Sequence, residues 1–311
     1  MLKVIKPGVF SSIQDLGRKG HRHLGVSQSG VLDPIALKAG NALLGNKETA
    51  ACIEITVGLA EFEFTKPCNF AITGGNLNAK LNSKALYPGW RYHAKAGDII
   101  KFASHPEFLR AYLCVEHGFD VLKVMSSRST DCQAKFGGFE GNTLQKADCI
   151  PFSESLAPCL ELAVKPSDYT NVVRVLKGPH CDILPENYLA QLLSKTWTIS
   201  DLSNRMGARL EHSSLLTHQK SIDSQGVHPG VIQLPPTGTL IVLLNDCQTT
   251  GGYPIIASVI QADLRHFSQL APTKTCRFEL VDFDVANTAL KKQEQEITRF
   301  KIAKQQLENK K

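Results

Sequence analysis

The sequence predicts a mainly β chain organised as two domains, and three observations carry that expectation. Its 311 residues exceed the roughly 150 of a common single domain. Short runs rich in β-branched and aromatic residues recur between turns bearing Gly and Pro, the pattern of barrels and sandwiches rather than of a doubly wound sheet. Helical periodicity is confined to a few stretches.

In the first half, strands are expected at Ile53 to Thr56 before Gly58, Glu61 to Thr65 before Pro67, and Phe70 to Thr73 before Gly74-Gly75. Ile99 to Phe102 and Arg110 to Val115, the latter before Gly118, read likewise. Pro34 to Leu44 reads as a helix, with Asp33 as N-cap, Pro34 in the first turn and Gly45-Asn46 closing it. A Pro-flanked stretch from Pro158 to Ser167 precedes a new strand at Val172 to Leu176, which sets domains of 1–160 and 161–288. Asn187 to Leu193 is a short helix candidate, and Leu240 to Leu244 a buried strand. In the last segment, 289–311, Leu290 to Leu307 should form one amphipathic helix, with Leu290 and Ile297 in one heptad row and Phe300 and Leu307 in another. It would pack on the chain's own barrels or on a partner, with Glu308 to Lys311 fraying. A faint echo relates Asp15 to Arg22 with Asp201 to Arg209, each leading to a polar-Gly-Val step at Ser29 and Gln225.

Composition narrows the function classes. With 42% hydrophobic and 21% charged residues, the chain is ordinary for a globular protein. No apolar run approaches the ~20 residues of a membrane span, and Met1 to Pro7 lacks the apolar core of a signal peptide, so a cytoplasmic location is expected. Nine scattered cysteines without a CxxC spacing suit free thiols in a reducing compartment. Cys247 has no basic neighbour in sequence to activate it and reads as a spectator. The formal charge is +6, of which +4 lies in residues 289–311 and +2 in the body, leaving no basic face for nucleic acid.

Polar residues gather in loops. Near the N-terminus, Gln14, Asp15 and Arg18 precede Gly20, His21, Arg22, His23, Gly30 and Asp33. Arg18 can fork onto a carboxylate or phosphate and Asp15 can orient it, or the two can simply fix a turn; no third metal ligand follows the two histidines. In the second half, Asn204-Arg205, Gln233 and the loop Asn245 to Pro254 supply amides, a guanidinium and the Asp246 carboxylate. Gln248, Thr249, Thr250, Gly251, Gly252 and Tyr253 suit a small polar ligand, with Gly251-Gly252 permitting close backbone approach; a self-satisfied Gly-Tyr-Pro turn is the alternative. There is no GxxxxGK[ST] loop, GxGxxG, GxSxG or HExxH. Gly74-Gly75 and Gly137-Gly138 read as turns rather than phosphate cradles.

Taken together, Ser12-Ile13-Gln14-Asp15-Leu16-Gly17-Arg18, Ser29-Gly30 with Asp33, Glu54-Ile55-Thr56, Phe136-Gly137-Gly138-Phe139, Ser203-Asn204-Arg205-Met206-Gly207, Ile232-Gln233, and Asp246 with Gln248 to Pro254 resemble a known family. It is the family of the 5-oxoprolinase C subunits, carboxyltransferase-like proteins that also include a regulator counteracting a histidine-kinase inhibitor and half of the urea carboxylase carboxyltransferase domain. The resemblance implies two tandem cyclophilin-like β-barrels with a few short helices and a C-terminal helix. It implies a protein that works with B-like and A-like 5-oxoprolinase subunits to open 5-oxo-L-proline to L-glutamate with ATP and Mg2+, without covalently attached biotin. Asp15, Arg18, Arg205 and Asp246 would then be catalytic. Gln14, Gly30, Asn204, Gln233 and the 248–253 loop would bind substrate or nucleotide. A regulatory module that binds a kinase-inhibitor-like partner, or a component of a biotin-dependent carboxyltransferase, are the alternatives. Ile255 stands where a basic residue is frequent in relatives, and Pro272-Thr273 replaces a Pro-Gly turn.

Overall fold

The computed structural model describes residues 1–308 apart from positions 156, 167, 186 and 215, so the fraying expected of residues 309–311 lies outside the described residues. The fold is mainly β, with three α-helices and short 3-10 turns among the described residues. The chain groups into two compact units. One comprises Met1–Arg18, Ser29–Asp168 and the chain from Glu294; the other comprises Lys19–Gln28 and Tyr169–Gln293.

In the first unit, strands Cys149–Ile150, Leu2–Pro7, Ala60–Phe64, Ile99–Lys101, Lys80–Leu81 and Lys84–Ala85 form a six-stranded sheet in that order. Phe10–Gln14, Cys52–Thr56, Arg110–Val115, Cys68–Gly74 and Trp90–Ala94 form a five-stranded one. The two share a core. Along Ala60–Phe64 the side chains alternate, with Phe62 and Phe64 buried and Glu61 and Glu63 half-buried, the period-2 pattern of a strand with one covered face. The five-stranded sheet is covered on both faces, which explains its continuous apolar runs. Ile53, Ile55, Phe70, Ile72, Ala111 and Leu113 join the shared core, whereas Cys52, Ala71, Tyr112 and Cys114 face the helix α1 (Pro34–Leu44) through Ala36, Leu37 and Leu43.

Local chemistry fixes α1 as the sequence expects. One Asp33 oxygen accepts the N–H groups of Ile35 and Ala36, each at 3.0 Å, and Gly45 closes the helix in the left-handed conformation at φ 76°.

In the second unit, strands Val172–Lys177, Ile255–Val259, Val231–Gln233, Leu240–Leu243, Gly207–Glu211, Trp197–Ile199 and Thr275–Leu280 close a seven-stranded barrel in that order. Closure comes from the parallel pairing of Val172–Lys177 with Thr275–Leu280. A short helix α2 (Asn187–Ser194) is tied to the barrel by the fully buried Trp197, whose indole N–H donates to Leu192 O at 3.0 Å.

The C-terminal helix α3 (Phe283–Glu308) begins seven residues before the expected Leu290. Asp282 accepts the Val285 N–H at 2.9 Å, a capping signal that the apolar rows do not carry. Ile297 is buried and Phe300 packs against the α1 cluster, while Leu307 is exposed. The residue one heptad beyond Ile297 is Lys304, also buried, 3.5 Å from Glu308. Glu308 also receives Arg91 at 3.0 Å, and Arg91 donates to Leu43 O at 2.7 Å in the last turn of α1. A cation at that carbonyl end complements the helix dipole. All nine cysteines are free thiols.

His266 carries a pH signature of the second unit. Burial, aided by the Arg265 charge and opposed by Asp263, pushes its imidazole down to about 4. The folded pKa thus lies below the ordinary value near 6.5, and the unfolded chain binds this proton first. Its effect on stability is absent above pH ~6.5 and becomes a loss as pH falls toward 4, on the order of 3 kcal/mol in full. Denaturant unfolding at pH 7.5 and 4.5 should show a smaller drop for His266→Gln than for the parent chain; equal drops would contradict the assignment.

Candidate functional site

Four residues selected from sequence meet in the first unit. The Asp15 carboxylate accepts four bonds: Gly17 N at 2.8 Å, Ser127 Oγ and Ser129 Oγ at 2.6 Å each, and Arg128 N at 2.6 Å. Three of these bonds fall on Oδ1 and one on Oδ2, and together they stitch the 15–18 turn to the 127–130 loop. Arg18 is buried, donates from Nη2 to Ser129 O, and lies 4.5 Å from the Phe136 ring centroid. Gln14 accepts from Gly30 N at 3.1 Å and donates to Ser12 Oγ at 3.0 Å and Thr130 O at 3.3 Å. Gly30 has φ 90°, and a Cβ there would lie 2.8 Å from Gly17 N, so only glycine fits this crossing. Arg18 and Thr130 pack directly on the backbone of Gly137 and Gly138, which fills the space that a phosphate cradle would need. The N-terminal N–H groups of α1 are likewise occupied, by Asp33.

The second unit gathers the remaining candidates around the end of strand Leu240–Leu243. Arg205 donates to Asp246 through a two-pronged pair, Nε at 2.8 Å and Nη2 at 3.0 Å, with both side chains nearly buried. The backbones run alongside: Asp246 N donates to Arg205 O at 3.0 Å and Leu244 N to Met206 O at 2.9 Å. Asn204 is exposed, and its side chain accepts Met206 N at 2.8 Å in a local turn.

The 248–253 loop is held from its backbone. Thr249 O accepts Val227 N at 2.9 Å, and Thr250–Gly251 pairs antiparallel with Gln225–Gly226. Gln248, Thr250, Gly252 and Tyr253 are exposed, while Thr249 and Gly251 are half-buried. Gln233 is buried beneath the loop, and a Cβ on Gly251 would lie 2.6 Å from its Nε2. A side chain at 251 would therefore require the Gln233 amide to shift.

Two neighbours escape a linear reading. Arg22, on the 3-10 turn Arg22–Leu24, donates from Nη2 to Val227 O at 2.6 Å and Gln248 O at 2.7 Å, and lies 3.7 Å from Cys247 Sγ. Cys247 therefore has a cation beside it in space that its sequence neighbourhood does not show. Burial nevertheless raises its thiol pKa, and the opposing pull of Arg22 is the smaller effect, so the thiol is the unreactive form. His180 accepts Ile255 N on Nδ1 at 3.0 Å, which leaves the proton of the neutral ring on Nε2, 3.5 Å from the Gln225 side-chain amide. The only sequence trace of Arg22 is its place between His21 and His23; nothing links it to position 247, more than two hundred residues away.

Among the described residues, no group of three or more His, Cys, Asp or Glu is placed to hold a metal ion. No helix among them is long and apolar enough to cross a membrane.

Breaking one side of the Arg205–Asp246 pair leaves a buried charge without its partner. Arg205→Ala and Asp246→Asn are each expected to cost about 3 kcal/mol, with the double variant losing less than the sum. Denaturant titration of the three variants checks this, and additive losses would contradict the pairing.

A family model described as carboxyltransferase domain, subdomain A and B, matches residues 24–280. The chain is 40% identical over 272 residues to the C subunit of 5-oxoprolinase from Escherichia coli (strain K12), covering 87% of this chain and 88% of that one. It is 35% identical over 295 residues to the C subunit of 5-oxoprolinase from Haemophilus influenzae, covering 94% and 96%. The crystal structure of Kluyveromyces lactis urea carboxylase aligns with a TM-score of 0.87 at 27% identity, over 96% of this chain and 29% of that one. The K. lactis urea amidolyase aligns equally well over 20% of its length, so this chain spans less than a third of either enzyme. Fold, motifs and near full-length identity agree: the chain belongs to the family of the carboxyltransferase domain, subdomains A and B, together with the 5-oxoprolinase C subunits.

Proposed function

We propose that the chain is the C-type subunit of an ATP-dependent 5-oxoprolinase, which cleaves 5-oxo-L-proline to L-glutamate. The observation that carries this reading is the 40% identity to a 5-oxoprolinase C subunit over 87% of this chain and 88% of that protein's length. The donor-rich loop over Gln233 and Arg22 supports it, since a lactam with a carboxylate offers acceptors in that pattern.

In this reading the chain acts with a B-like partner to transfer the γ-phosphoryl group of ATP to the lactam oxygen, releasing ADP. An A-like partner then completes ring opening: water adds to the activated carbon, the ring C–N bond breaks with its nitrogen taking a proton, and inorganic phosphate leaves to give L-glutamate. Mg2+ enters with ATP. The loops of the second unit hold the substrate, while the Asp15–Arg18 turn and the Arg205–Asp246 pair hold their loops in shape. Such preorganised donors are what a phosphoryl transfer asks of its protein.

The likeness to urea carboxylase gives carboxyl transfer a second place, in which biotin would arrive on another chain. ATP hydrolysis separates the two. The chain mixed with its A-like and B-like partners should hydrolyse ATP faster when 5-oxo-L-proline is added, and the chain alone should not. A stable assembly whose ATPase ignores 5-oxo-L-proline would sink the proposal.

A further inference from the structure

Arg22 stands out as a half-buried cation with neutral surroundings. It reaches two backbone carbonyls and a thiol, and no carboxylate lies within ion-pair distance of it among the described residues. Its Nη1 is fully buried without a hydrogen-bond partner. A cation removed from water without a counter-ion is unfavourable unless something else supplies the negative charge.

Gln233, at the end of strand Val231–Gln233, presents a second unpaired donor against the same loop. The residue is 1% exposed, its terminal Nε2 has no partner, and it lies against Gly251. Arg22 grips the loop at Gln248 O, so the two donors bracket a stretch of four residues. Val227, Val231, Leu243, Cys247 and Ile255, the fourth of them next to Gln248 in the chain, form a buried apolar cluster in the same unit.

We propose that Arg22 and Gln233 form one substrate subsite, in which Arg22 binds the carboxylate and Gln233 the ring amide of a small cyclic amide acid. The proposal takes its ligand from the 5-oxoprolinase reading and adds the residues that recognise it. The guanidinium calls for an anionic oxygen because its own contacts leave the charge unbalanced. A Gln amide pairs with a lactam whichever way it is turned, since the lactam carries both a C=O and an N–H.

The test compares 5-oxo-L-proline with 5-oxo-L-prolinamide, in which a neutral NH2 replaces the anionic oxygen that Arg22 would read. Titration calorimetry on the assembled complex should show the parent assembly preferring the acid at least tenfold. Arg22→Ala should bring the two ligands to equal affinity, Arg22→Lys should keep part of the preference, and Gln233→Leu should weaken both ligands together. Because Arg22 also fastens the loop, an Arg22→Ala protein that binds neither ligand is judged by Arg22→Lys, and loss of both there overturns the subsite. So does a parent assembly that binds neither ligand or both alike, or an Arg22→Ala protein that still prefers the acid. If Arg22-dependent binding holds while ATP hydrolysis ignores 5-oxo-L-proline, the subsite stands and the proposed reaction falls. If turnover responds to 5-oxo-L-proline with an unchanged KM in Arg22→Ala, the reverse holds.

Discussion

The Asp246 carboxylate sits nearly out of water, and the two-pronged grip of Arg205 is what makes that position tenable. The second unit's polar loop depends on it, because the pair and its flanking backbone bonds fix where the chain leaves strand Leu240–Leu243 and enters residues 245–254. The same requirement recurs wherever a carboxylate is buried. Asp15 is closed by four donors, and Asp263 receives Arg174 through Nε at 2.8 Å and Nη2 at 2.6 Å. Glu54, fully buried, accepts Leu32 N at 2.8 Å with Arg110 at 3.8 Å. A buried carboxylate without donors would shift the local structure or its own protonation, so each one here dictates the path of a loop.

The acidic residues with chemical appearance also hold loops and a helix end in place. Asp15, Asp33 and Asp246 have their oxygens committed to N–H, O–H or guanidinium donors. In the second unit, Arg22 Nη1 and Gln233 Nε2 are buried donors without a hydrogen-bond partner, set against a loop whose backbone is paired at Thr249 and Thr250–Gly251. Donors fixed in advance are how a protein recognises an acceptor-rich ligand without reorganising when it arrives.

Much of the fold is legible in the sequence because its signals are local. Asp33, Pro34 and Gly45 mark α1 to the residue, and the alternating Ala60–Phe64 run and the continuous Arg110–Val115 run announce one covered face and two. The start of α3 is less legible, since Asp282 caps a first turn that lacks the apolar row used to find the helix. Leu307 fits the heptad pattern yet is exposed, while Lys304 takes a buried place through its charge partner; apolar spacing cannot foresee that exchange. The candidate site is half legible. The loop chemistry of residues 245–254 is plain, but Arg22 reaches Gln248 from more than two hundred residues away, and only the fold brings them together. The echo of Asp15 to Arg22 with Asp201 to Arg209 does not extend to environment, since Asp15 is buried and Asp201 exposed.

The proposed subsite joins the neutral cradle of Arg22 to the amide of Gln233 as the ligand-reading end of an otherwise self-satisfied loop. A crystal structure of the assembled complex with 5-oxo-L-proline tests it most directly. The ligand should place a carboxylate oxygen within hydrogen-bond distance of Arg22 Nη1 and its ring amide against Gln233. A ligand bound instead at the Asp15–Arg18 turn, with Arg22 unchanged and Gln233 still without a partner, would contradict it.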